Sequence, residues 1–158
     1  MVITWHTDHF VIKTKSTPVS LGEKIEVGEQ IIPGPGEYDI ADIFIESLPF
    51  SETPRSAVVI RIEGVTLVWI PALTHALSEK SIEILDGVDV LLVPLSTQLN
   101  SDTAQGMIKA LEPKAVIYHD GGADTEISKG IQVEETKAFK LTSAVLPEEG
   151  IHFVHIGA

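Results

Sequence analysis

Ile31-Ile32-Pro33-Gly34-Pro35-Gly36-Glu37-Tyr38-Asp39-Ile40 is the stretch on which the reading of this chain turns. Its two prolines fix φ and remove two amide donors, so Gly34-x-Gly36 is a poor cradle for phosphate. A dinucleotide fingerprint also needs a helix directly after its glycines, and the residues after Gly36 are strand-like. Tyr38 to Leu48 reads as one further strand, with Ile43 and Ile45 on one face and Phe44 on the other. The chain holds no Gly-x-Ser-x-Gly elbow and no P-loop, so no nucleophile or phosphate motif competes for the functional reading.

Around this stretch, the first part of the chain reads almost wholly as β. Val2 to Trp5 and Phe10 to Lys13 are short β-prone runs, and Thr17–Gly22 and Lys24–Gly28 come next, punctuated by Gly and Pro. Ser56–Ile62 and Val65–Ile70 meet across Glu63-Gly64, a hairpin signal because Gly tolerates positive φ in the turn. Both runs are apolar on both faces, as central covered strands are. The second part alternates helix and strand. Ser78 caps a short helix through about Leu85, with Ile82 and Leu85 toward the core. Val88–Pro94 is a buried strand. Asp102 with Gln105 resembles a capping box, opening a helix in which Ala104, Met107, Ile108 and Leu111 share a face. Pro113 ends it, and Ala115–Tyr118 is the next strand. The tail returns to β at Ala138–Leu141 and Ile151–Ile156, with Glu148-Glu149-Gly150 as the turn between. Helix then strand, twice, after a β-rich start gives an α/β class.

Bulk properties narrow the functions. The chain has 158 residues, which suits a single domain over 1–158 with one core. Net charge is −12, from 11 basic and 23 acidic side chains, and no three basic residues cluster. Phosphate contacts need Lys and Arg, so nucleic acid is not an expected partner, nor is an anionic membrane. No apolar run approaches the about 20 residues that span a bilayer. With 0 cysteines there are no disulfides and no thiolate ligands. Met1–Trp5 leads into a strand pattern rather than a signal peptide, so a cytoplasmic protein is expected.

Six histidines bound any metal chemistry. His119-Asp120-Gly121-Gly122 comes after a strand end, where α/β folds gather loops into sites. Set against that is a plain polar turn with His119 on the surface, the reading we favour. His75 stands just before a helix, and either ligates or simply flanks it. His6-Thr7-Asp8-His9 offers Asp8 and His9 as metal candidates if it turns, and a solvated loop otherwise. His152 and His155 are three apart on a strand and so point to opposite faces.

Four stretches resemble the metallo-β-lactamase fold superfamily, in the branch of small Zn-dependent and ascorbate-lactonase-like hydrolases. Val2–Trp5 with Phe10–Lys13 is similar to its opening hairpin, and Ile32–Ile40 to its Gly-Pro-Gly-Glu-Tyr segment. Leu73–Ser78 through Asp86–Pro94 resembles the stretch after its Gly-Asp, and Leu111–His119 the run toward its last histidine ligand. The resemblance implies a β-sandwich with flanking helices, here shortened in the amino-terminal half. It also marks what is missing. The family's His-x-His-x-Asp-His segment should precede Gly-Pro-Gly-Glu-Tyr, yet Lys13 to Gln30 holds neither His nor Asp. The family's Gly-Asp falls on Pro71-Ala72, and its final histidine near His119 or Asp120. Catalytic zinc usually takes three protein ligands. The resemblance therefore implies a non-catalytic member with a binding or assembly role, no cofactor, and weak metal candidates in His75, His119, Asp120, Asp8 and His9. The alternative is a metal-dependent hydrolase, using zinc or another divalent ion in a rearranged or intersubunit site. The family's lost loop leads into a helix over one sheet face. No helix pattern precedes Ser78, so a bare apolar face and hence a homodimer or protein partner are expected.

Overall fold

The computed structural model describes residues 1–96, 99–120, 127 and 131–158. Two sheets face each other. The first is antiparallel and built mainly from the chain's start: β1 (Val2–His6), β2 (His9–Lys13), β3 (Val19–Leu21), β4 (Ile25–Val27) and β5 (Gln30–Ile31). The second begins with three antiparallel hairpin steps through β6 (Gly36–Ile40), β7 (Ile43–Leu48), β8 (Ala57–Ile62) and β9 (Val65–Trp69). It continues with β10 (Val90–Pro94) and β11 (Ala115–His119), both parallel to their neighbours. Later in the chain β12 (Val133–Thr136) and β14 (His152–Ile156) complete the second sheet, while β13 (Ala138–Lys140) joins the edge of the first beside β1.

Alternation decides which residues fill the sandwich. Ile3, Phe10, Ile12, Val19 and Leu21 of the first sheet meet Ile45, Ile60, Leu67, Leu92 and Ile117 of the second in one buried cluster. The other face of the second sheet holds Val59, Val68, Leu91 and Val116. Leu85, after α1 (Glu79–Ile84), and Ala104, Met107 and Ile108 of α2 (Ser101–Leu111) cover it. The layers are therefore sheet, sheet, helices, with β8 to β11 apolar on both faces because both are covered. No helix among the described residues is long and apolar enough to cross a membrane.

The structure corrects four expectations. Tyr38 to Leu48 is two strands, because Ala41 and Asp42 both turn at positive φ (52° and 64°) and fold β6 back on β7. Asn100, not Asp102, caps α2, its side chain accepting from the Thr103 amide. β13 and β14 are not a hairpin across Glu148-Glu149-Gly150: they lie in different sheets, joined through a 3-10 turn at Ser143–Val145. The first α-helix is indeed α1, but the first sheet's outer face is not a bare apolar surface. Inward positions carry the large apolar groups, while Thr4, His6, His9, Lys13, Ser20 and Glu26 face out together with Val2 and Val11.

Candidate functional site

β9, β10, β11 and β14 run parallel, so their carboxyl ends share one edge, the place where such sheets build sites. β11 ends there on His119. Its side chain points inward, like those of Ala115 and Ile117, and is 7% exposed, so the surface-turn reading does not hold. The imidazole stacks on Trp5 of β1 at 4.1 Å between centroids and 16° between planes. Nδ1 lies 2.6 Å from the Ile156 carbonyl oxygen. A carbonyl only accepts, so Nδ1 carries a proton, and in the neutral ring Nε2 is then the nitrogen with the lone pair.

Asp120, the next residue, meets His155 instead. His155 Nε2 is 3.0 Å from Asp120 Oδ1, and its Nδ1 is 2.6 Å from Glu135 Oε2. Burial, the largest single influence, disfavours the cation. The hydrogen bond donated to Glu135, then that donated to Asp120, and the charges of both carboxylates together outweigh it and raise the His155 pKa above 6.5. His155 as imidazolium donates from both nitrogens and has no lone pair to offer. Its ring lies nearly parallel to that of His119, 6.2 Å away. The Asp120–His155–Glu135 group can thus hold a proton beside His119. A raised histidine pKa stabilises the fold fully below the unfolded value of 6.5, and that contribution is lost as pH rises through the folded value. Asp120→Asn is expected to lower the His155 pKa, which proton NMR titration of the imidazole reads directly. An unchanged titration would show that the carboxylate does not hold the charge.

The other candidates stand elsewhere. Asp8 and His9 form a pair at 2.8 Å, at the β1–β2 turn. His9 faces outward, opposite to inward-pointing Trp5 and Phe10, and packs where Gly22 leaves room: a Cβ on Gly22 would sit 3.3 Å from the His9 Cβ. His75 is exposed, bonded through Nδ1 to Thr74 Oγ1 at 2.9 Å. It lines a shallow cavity with Leu73, Leu77 and residues of α2. Gly121 and Gly122 fall outside the described residues. Of the five candidates, the structure brings His119 and Asp120 into one neighbourhood and Asp8 and His9 into another, with His75 in a third. Among the described residues no three His, Asp or Glu side chains are disposed around a common cation. Ala72 is a buried methyl, 1% exposed.

Two residues escaped the sequence reading. His155 was separated correctly from His152 by strand alternation, but its carboxylate partners come from distant segments. Glu52 lies in the β7–β8 connection, 3% exposed. Its carboxylate accepts from the Ser78 amide at 2.6 Å and Ser81 Oγ at 2.9 Å, and its carbonyl accepts from the Thr74 amide at 2.9 Å. It pins the Thr74–Ser78 loop, and with it His75, to the second sheet.

A model of the beta-lactamase superfamily domain matches residues 2–120. The chain belongs to the metallo-β-lactamase superfamily. Among solved structures, it is similar to an inferred Zn-dependent hydrolase of that superfamily from Thermotoga maritima. The TM-score is 0.76 at 17% identity, over 99% of this chain and 100% of the other. A variant of the CmlA beta-hydroxylase aligns more weakly, at a TM-score of 0.41 and 14% identity, over 54% of this chain and 24% of the other. No curated protein matches. At such identities the structural likeness speaks for the fold alone. The superfamily model covers most of the chain.

Proposed function

We propose that this metallo-β-lactamase superfamily member is non-catalytic and serves in binding or assembly. The observation that carries the reading is the commitment of His155 to both Asp120, at 3.0 Å, and Glu135, at 2.6 Å. A zinc site that activates water needs several lone pairs converging on one ion. Here the imidazole nearest His119 is bonded at both ring nitrogens to carboxylates, and His75 is bonded to Thr74. The carboxylate expected from the family resemblance is replaced by alanine.

One feature favours the alternative of a metal-dependent hydrolase with a rearranged site. His119 presents the tautomer typical of ligating histidines, one ring N–H on a carbonyl and the other nitrogen free to coordinate. Calorimetric titration with Zn²⁺ at neutral pH separates the two. The proposal expects no saturable one-to-one binding that depends on these histidines. One-to-one binding abolished by both His75→Ala and His119→Ala would establish the alternative.

A further inference from the structure

The inward-facing row nearest one end of the second sheet is unlike the row beneath it. Tyr38, Ile45, Ile60 and Leu67 are cross-strand partners and fill the sandwich with large side chains. One step along each strand pair, the matching row is Gly36, Ser47, Val58 and Trp69. Gly36 is held at φ 144° with the Tyr38 phenol over it, and Ser47, which could carry bulk, carries only a hydroxymethyl group. The space is not filled from the first sheet. A cleft of ≈ 320 Å³ remains between the sheets, with Ile25 and Ile31 opposite and the Pro33-Gly34 turn along its side. That volume lies at the lower end of small-ligand sites, roughly 300–1,000 Å³.

Its chemistry is divided. Ile25, Ile31 and Val58 give it an apolar body. At the rim stand Arg55 and Lys24, with one carboxylate, Glu23. Two cations together are unusual in a chain of net charge −12. Arg55 is held in place: its guanidinium lies 5.2 Å from the Trp69 ring centroid, and one nitrogen donates to the Gly22 and Glu23 carbonyls of the opposite sheet. A guanidinium has five N–H donors, so the remaining edge can grip an anion in two places. Trp69 also lines the cleft. Its side chain is 3% exposed, and its Nε1 is a buried donor with no acceptor among the described residues. Such orphan donors are rare and costly.

We propose that this inter-sheet cleft binds a small aliphatic monocarboxylate, its carboxylate on Arg55 and Lys24 and its chain against Ile25, Ile31 and Val58. The inference rests on the reading that the protein binds rather than catalyses, and it gives that reading a ligand class. Octanoate is the probe and octan-1-ol its uncharged counterpart. The chain has two tryptophans, so Trp5→Phe leaves Trp69 as the sole reporter indole. In that background octanoate is expected to change Trp69 emission saturably with one-to-one stoichiometry. Ser47→Leu, which fills the floor, should abolish the response. Arg55→Gln, on the exposed rim, should weaken affinity about tenfold or more, the loss of one charge-assisted contact. Lys109→Gln on α2 is the control and should leave affinity unchanged. Thermal melts of each variant establish that it is folded. Absence of saturation, equal affinity for octan-1-ol, or equal affinity in Arg55→Gln would overturn the assignment. Zinc-dependent hydrolysis of 4-nitrophenyl octanoate, with octanoate binding intact, would instead overturn the non-catalytic reading and leave the cleft standing.

Discussion

Phe10→Ala is expected to destabilise the fold by about 3–5 kcal/mol, the cost of removing a buried aromatic ring from a packed core. Phe10 is 0% exposed and stands in β2 at the centre of the inter-sheet cluster. Its ring meets Trp5 edge to face at 4.9 Å between centroids, and Trp5 in turn stacks on His119 at 4.1 Å. The truncation therefore leaves a void and also removes the support that orients the His119 neighbourhood. Domains have only about 5–15 kcal/mol in total, so much of the stability goes. The midpoint of thermal unfolding should fall by roughly 10 °C or more. Phe10→Leu, which keeps most of the volume, should fall by much less. Equal, small losses in both variants would mean that the two sheets are not packed through this ring.

Glu52→Gln is expected to cost about 2–3 kcal/mol at neutral pH, since hydrogen bonds to a charged acceptor are each worth about 1.5–3 kcal/mol. The Ser78 amide, then the Ser78 hydroxyl, lower the Glu52 pKa from 4.5 to about 2 against an opposing effect of burial, with the Ser81 hydroxyl adding a smaller share. The sign comes from linkage. A depressed carboxyl pKa gives stability that is fully present above the unfolded value of 4.5 and disappears as pH falls through about 2. The difference between wild type and Glu52→Gln should accordingly be constant above about pH 5 and shrink in acid. Denaturant unfolding across pH measures it. A difference independent of pH would assign the loss to packing rather than to the charge. Because Glu52 ties down the Thr74–Ser78 loop, the variant should also loosen hydrogen exchange at Thr74 and Ser78.

Alternation and turn chemistry made much of the frame readable. The doubly apolar runs at Ser56–Ile62 and Val65–Ile70 announced covered strands, and Glu63-Gly64 announced their hairpin. Both turn residues have positive φ, at 51° and 78°. Ala41-Asp42 makes a similar reversal, but alanine is not a residue that favours positive φ, and the strand propensity on both sides hid the turn. The assignment of β13 and β14 to different sheets depends on pairings far apart in sequence, which local patterns do not encode. At the site, the position of His119 at a strand's end was visible. The burial of His119 was not, because its stacking partner Trp5 comes from the other end of the chain. Glu52 and His155 were hidden for the same reason. Each owes its character to partners far along the chain: Ser78 and Ser81 for one, Asp120 and Glu135 for the other.

Whether this superfamily frame holds a catalytic cation is tested most directly by elemental mass spectrometry. The protein is purified without a polyhistidine tag, equilibrated with zinc, manganese and iron in turn, and dialysed. No stoichiometric metal is expected with any of the three. One ion per chain, retained after dialysis and lost in His119→Ala, would contradict the non-catalytic reading.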